Sequence, residues 1–217
     1  ARMPVVFDPR VGSGILGHLL GAMSGPAVAR KASYLIDREG ERLFDPSIQV
    51  VEDPHRARGL RSRNYDGEGV AVVQRKLVED GCVDGWLTNV ASAAQLGLPL
   101  SGHASRGGGG SPGVAVSNVY MEAGSLSVED LIADIEDGLF ITDVFGQGVS
   151  LVTGDYSRGA SGLRIRNGQF AEPVAEITIA GTLPEMFAAL TPANDLELMR
   201  GIDVPTIRID GMSVAGQ

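Results

Sequence analysis

Cysteine, aromatic residues, positive charge and long apolar runs are all scarce in this chain, and each shortage closes off a class of protein. The single cysteine, Cys82, has no internal partner for a disulfide and fits a reducing cytoplasm. Eighteen lysines and arginines stand against 27 acids, a net charge of -9, so no basic surface is expected to meet a phosphate backbone. No apolar run approaches the length of a membrane span and no signal peptide opens the chain, so no membrane role is expected. Aromatics make up only 5% of the residues, but a hydrophobic fraction of 43% is ample for a core and excludes a disordered chain. Thirty glycines call for many tight turns, and 217 residues allow one large domain or two small ones.

The most legible stretch covers residues 146–183, where three strands are expected between glycine-bearing turns. Val149, Leu151 and Val152 outline the first. Leu163 and Ile165 alternate with Arg164 and Arg166 in the second, giving period two and one charged face. Asn167-Gly168 is a strong hairpin signal, since both central residues of a type I′ turn need positive φ. The return strand runs over 173–179. Between the first two, Thr153 to Ser157 forms a polar cluster that reads either as a site or as a bulge.

Elsewhere the pattern predicts a strand at 5–7, a turn at Asp8-Pro9, and a helix over 13–30 with Ser13 as N-cap. Its Gly14, Gly17, Gly21 and Gly25 recur every three to four residues. Each costs a helix interior about 1 kcal/mol relative to alanine, so a close-lying backbone is the expected compensation. Short strands are expected at 33–36 and 48–51, and a turn at 64–69. Asp66 and Glu68 in that turn read either as a cation site or as solvated acids. A hairpin is expected around Glu79-Asp80-Gly81, with Trp86 as a packing anchor. Further helices are expected at 91–96, 128–136 (capped by Ser127 and closed by Gly138) and 184–190, with strands at 114–121, 139–145, 205–209 and 212–214. The fold class is α+β: mostly antiparallel sheet, with barrel closure left open and two or three packed helices.

The segments TGDYSRGASG (153–162), Arg166-Asn167-Gly168, EITIAG (176–181) and the closing MSVAG (212–216) carry a resemblance. From Val5 to Gly216 the chain resembles the TldD/PmbA family, modulator-of-gyrase proteins also described as peptidases. The resemblance implies the C-terminal domain of a longer protein (1–217 here), with an N-terminal domain outside this chain. In the family's active members the first helix carries His-Glu-x-x-x-His, two zinc-binding imidazoles on one helical face and a carboxylate to activate water. Aligned without a gap, that motif falls on Gly17, His18 and Ala22. Shifted by one residue it keeps His18 but puts Leu19 and Met23 at the other two places. The family's late zinc-binding cysteine is missing from 196–203, after Asn194-Asp195. The resemblance is therefore to the non-metal PmbA/TldE branch. It implies no cofactor, and His18, Gly21, Gly102, His103, Arg106 and Asp155 as residues of a substrate cleft. His103 stands where the family's Thr-Gly-Asn-x-x-Arg segment carries an amide.

Three functions follow as expectations. In the first, a silent subunit pairs with a zinc-bearing TldD-like protease, and its glycine-lined 13–30 helix and the 102–111 loop face a chamber where unfolded peptide is cut. The Gly107–Gly110 run would be either a lid over that cleft or a plain connector. In the second, the chain is a hydrolase of other chemistry. His18, His55 or His103 would serve with Ser101, Ser105 or Ser157 as nucleophile and Asp155 as orienter, though no G-x-S-x-G elbow is present. In the third, it is a homodimeric binding protein acting without a protease.

Overall fold

The computed structural model describes residues 1–216. The chain runs β1 (Arg2–Phe7), α1 (Pro9–Ala22), α2 (Gly25–Ala29), β2 (Val50–Glu52), β3 (Arg75–Glu79), β4 (Cys82–Val83), α3 (Val90–Leu96), β5 (Ala104–Ser105) and β6 (Gly113–Val114). It continues through β7 (Val119–Met121), α4 (Val128–Ile132), β8 (Asp137–Phe145), β9 (Asp155–Arg166), β10 (Gln169–Thr182), α5 (Leu183–Ala188), β11 (Leu190–Pro192), β12 (Ile202–Asp203) and β13 (Ile207–Ala215).

The strands β1, β8, β9, β10 and β13 close on themselves, because β13 pairs with both β10 and β1. Closure leaves these strands no long free edge. Every pairing in the ring is antiparallel except β1 with β8. A second sheet, in the order β12-β7-β2-β3-β4, and the small β5–β6 pair complete the α+β architecture.

Strand β1 shows why the barrel is stable. Val5, Val6 and Phe7 are all fully buried, as expected of a strand covered on both faces. Val5 and Phe7 join the main core with Leu16, Leu19 and Ile209. Val6 points the other way, into a small core under α4 with Leu131, Ile135 and Ile165. Each such side chain contributes about 1.5–3 kcal/mol by leaving water.

The β9–β10 hairpin turns at Asn167-Gly168, with φ of 48° and 74°, as the dipeptide predicts. Two register shifts fall in β10, and within the second, between Val174 and Ile177, Glu176 takes φ 55°. Gly162 allows β9 to lie directly against the Phe140 carbonyl, a space no side chain could share.

Several expectations fail for local reasons. Helix α1 starts earlier than expected, because Asp8 accepts from Arg10 N and Pro9 occupies the first turn; Ser13 instead donates its hydroxyl to Arg10 O. The helix stops at Ala22 rather than reaching Arg30, and a separate short α2 follows Ser24. Residues 33–36 form turns, not a strand, because the Ser33 hydroxyl bonds Ala22 O and Leu35 N. The first strand expected in 146–183 does not form either: Ser150 N and Gly154 N fold the segment into turns, leaving one bridge between Val149 and Tyr156. Gly138 lies inside β8 instead of ending a helix. Five helices are present among the described residues, and three of them have six residues or fewer; with the mostly antiparallel, barrel-like sheet they bear out the α+β class. No helix is long and apolar enough to cross a membrane among the described residues.

Candidate functional site on helix α1

Helix α1 packs its Val11, Ile15, Leu16, Leu19 and Leu20 inward, which turns Gly14, Gly17, His18 and Gly21 to the other side. The expected close backbone approach does not occur along this row. A side chain at Gly14 or Gly17 would meet nothing within 4 Å, and one at Gly21 would meet only Leu151 Cδ1. Gly25, beyond the helix, does face a backbone, with the Leu87 carbonyl 2.9 Å from where its Cβ would stand.

His18 is half-buried, with its ring edge-on to Tyr156 at a centroid separation of 6.0 Å. Burial, and secondarily the Arg158 guanidinium, hold its imidazole below the usual value, while burial pushes the Tyr156 phenol up to about 12. His18, Arg10, Ser13, Gly14, Asp143 and Arg158 line an open groove of about 670 Å³. Asp155 is nearby in sequence but spends a carboxylate oxygen on the Thr153 hydroxyl at 2.5 Å. The Thr153–Ser157 cluster is thus the turn that opens β9, with Gly154 at φ 84°.

Gly102, His103 and Arg106 form a second group. Gly102 takes φ 76° and packs on the Ala71 carbonyl, and Arg106 Nε donates to Gly67 O at 2.7 Å. His103 is buried, with Nε2 2.6 Å from Glu52 Oε2 and Nδ1 2.8 Å from Ser101 Oγ. Asp66 accepts from the N–H groups of Glu68, Val70 and Ala104, and Glu68 accepts from Val90 N. These acids therefore hold backbone together, and neither the cation site nor the solvated turn describes them. A second groove, of about 520 Å³, lies where α2 and α3 meet Pro112–Val114, beside the glycine run.

The serine, histidine and carboxylate of the hydrolase alternative do meet, but not as expected. Ser101 Oγ, His103 and Glu52 are linked, with Asp155 elsewhere. Ser101 Oγ also accepts from Thr88 N at 2.6 Å and lies 3.0 Å from Thr88 Oγ1. That oxygen is surrounded by partners, which leaves it poorly placed to attack a carbonyl. His55 is exposed, with no serine partner among the described bonds.

A zinc ion does not fit the α1 positions. Gly17 has no side chain, and Ala22 is fully buried in the core, so the two do not share an open face as the helical spacing suggested. His18 lies beside the Arg158 guanidinium, whose charge repels a divalent cation. Among the described residues no three His, Cys, Asp or Glu side chains gather closely enough to hold a metal.

Residues 1–216 match the family model described as the PmbA/TldA metallopeptidase C-terminal domain. The chain belongs to the PmbA/TldD family. It is 39% identical over 217 residues to Metalloprotease PmbA of Escherichia coli O157:H7, covering 100% of this chain and 46% of that protein. It is 40% identical over 216 residues to a Metalloprotease PmbA homolog of Haemophilus influenzae, covering 99% of this chain and 46% of the relative. The chain thus spans about half the length of the curated family members it matches. Among solved structures, a protein described as a modulator of DNA gyrase from Bacteroides thetaiotaomicron superposes with a TM-score of 0.89 at 25% identity, covering 100% of this chain and 47% of that one. TldE of Thermococcus kodakarensis shares the fold, with a TM-score of 0.87 at 24% identity over 99% of this chain and 50% of its own.

Sequence reasoning named His18 and His103 but missed Glu52 and Arg158. Glu52 ends an otherwise apolar Val-Val-Glu strand, and a lone acid there was a signal. Arg158 stands inside the TGDYSRGASG motif, where the glycines drew the attention.

Proposed function

We propose that this chain is a PmbA/TldE-like subunit without catalysis of its own. It pairs with a zinc-bearing TldD-like protease and helps to wall the chamber in which unfolded peptide is cut. The observation that carries this reading is the state of α1: a bare Gly17, a core-buried Ala22, and His18 flanked by Arg158. Such a surface can touch peptide but supplies no metal-activated water. His18 and Gly21, with Asp155 beyond them, form one part of the peptide-facing surface in this reading. Gly102, Arg106 and the 107–110 loop form another, with His103 holding that segment from beneath. The pairing takes place in the cytoplasm, and neither nucleic acid nor membrane takes part.

Co-expression with a zinc-bearing family member tests the proposal. The chain alone should leave unfolded peptide intact, and the co-purified pair should cleave it. A stable homodimer that ignores the zinc subunit in native extracts would overturn the pairing and favour a stand-alone binding protein. Peptide cleavage by the chain alone would overturn the silent role.

A further inference from the structure

Among the described residues, the groove beside α1 holds one cation that the fold leaves uncommitted. Arg10 is held in a fork by Asp8, with Nε 2.9 Å from Oδ1 and Nη2 3.3 Å from Oδ2. Arg158 donates only its Nε, to Phe145 O at 3.1 Å, and forms no ion pair with any carboxylate of the described residues. That one bond fixes the guanidinium plane and leaves both terminal nitrogens free. His18 lies close enough to feel its charge, and Asp143 lies towards Arg10 at the other end. The groove therefore carries positive charge at Arg158, beside the neutral-favouring His18 ring, and negative charge at Asp143.

We propose that this groove binds the carboxylate end of a peptide, the carboxylate seated on the free nitrogens of Arg158 beside the His18 ring. A planar fork facing a planar two-oxygen acceptor is the geometry that guanidinium and carboxylate share. One unpaired arginine matches a single negative charge. A doubly charged phosphate would meet the repulsion of Asp143 within the same groove. The peptide backbone leaves Arg158 over Gly14, which lines the groove and has no atom within 4 Å of its Cβ position. Asp143 and the Ser13 hydroxyl oxygen, whose proton goes to Arg10 O, then offer acceptors to its N–H groups. The proposal rests on α1 facing peptide, but not on the presence of a protease partner.

The test uses the chain alone with two probes, N-acetyl-trialanine as the free acid and as the C-terminal amide. Binding is followed by calorimetry and by the ring resonances of His18. The acid should bind about tenfold more tightly than the amide, the loss expected for one charge-assisted contact. It should also raise the His18 titration midpoint, because a nearby anion favours imidazolium. Arg158→Gln should reduce the acid to the affinity of the amide, and Arg158→Lys should keep part of the difference. Equal affinity for acid and amide, no measurable binding of the acid, or an unmoved His18 resonance would each overturn the proposal. The acid–amide comparison needs no variant, so a misfolded mutant cannot obscure it. Failure of the pairing would appear in co-purification and leave this result untouched.

Discussion

His103 Nε2 lies 2.6 Å from Glu52 Oε2, and the two side chains are only 2% and 4% exposed. The second oxygen of the carboxylate accepts from Ser117 N at 2.6 Å and from its hydroxyl at 2.7 Å. This network ties the end of β2 to the segments before β5 and β7, under the Gly102–Arg106 group. Removing one partner leaves the other buried and uncompensated, at a cost of about 3–5 kcal/mol. Glu52→Ala and His103→Ala should each lower Tm by roughly 10 °C. Thermal unfolding checks this, and a Glu52→Ala protein as stable as the parent would contradict it.

Acid sensitivity follows from three groups. Burial raises the Glu52 carboxyl, but His103 and Ser117 outweigh it, and the group ends below its ordinary value. Asp66 is also lowered: burial opposes this, while the N–H groups of Val70, Glu68 and Ala104 bring it down. Carboxyls whose folded pKa lies below the unfolded one add stability at higher pH, and that stability is lost as pH falls through the folded value. His18, lowered mainly by burial, also loses stability on acidification, but starts from the ordinary imidazole range. Tm should therefore decline gently below about pH 6.5 and steeply below about pH 4. His18→Gln should remove the first decline and Glu52→Gln should blunt the second.

Proton NMR of His18 offers a sharper check on the groove. Its imidazole should titrate below the ordinary histidine value. Arg158→Gln should raise it only part of the way, because burial is the larger cause and remains. Full restoration to the ordinary histidine value would mean that the ring is wetter than its packing on Tyr156 suggests.

Gly17 in α1 and Gly25 at the start of α2 should behave oppositely. Gly17→Ala adds a methyl group where nothing lies within 4 Å and should stabilise α1 by about 1 kcal/mol. Gly25→Ala places one 2.9 Å from the Leu87 carbonyl and should destabilise. Differential scanning calorimetry of the two variants separates a helix open at Gly17 from one packed along its whole glycine row.

What could be read from the residues alone was whatever nearest neighbours decide. Asn167-Gly168 marked its hairpin because its positive φ values are a local demand. The α1 boundaries were misread because Asp8 and Ser13 are equally plausible caps. Pro9, already in the first turn, decides between them. Residues 149–152 look like a strand but turn instead, because Gly154 and the Ser150 backbone make bonds that apolar alternation does not register.

The candidate site was legible only along the chain. His18 could be named, but the charges around it come from β8 and β9, so its arginine neighbour Arg158 stayed hidden. Glu52 and His103 are 51 residues apart, and only the fold brings them to bonding distance.

The central claim is that this chain cannot hold a catalytic zinc. Equilibrium dialysis against zinc, followed by elemental analysis of the purified protein, tests it most directly. The account predicts no stoichiometric metal, with the same residual content in the parent and in His18→Ala. One tightly held zinc per chain that disappears in His18→Ala would contradict it.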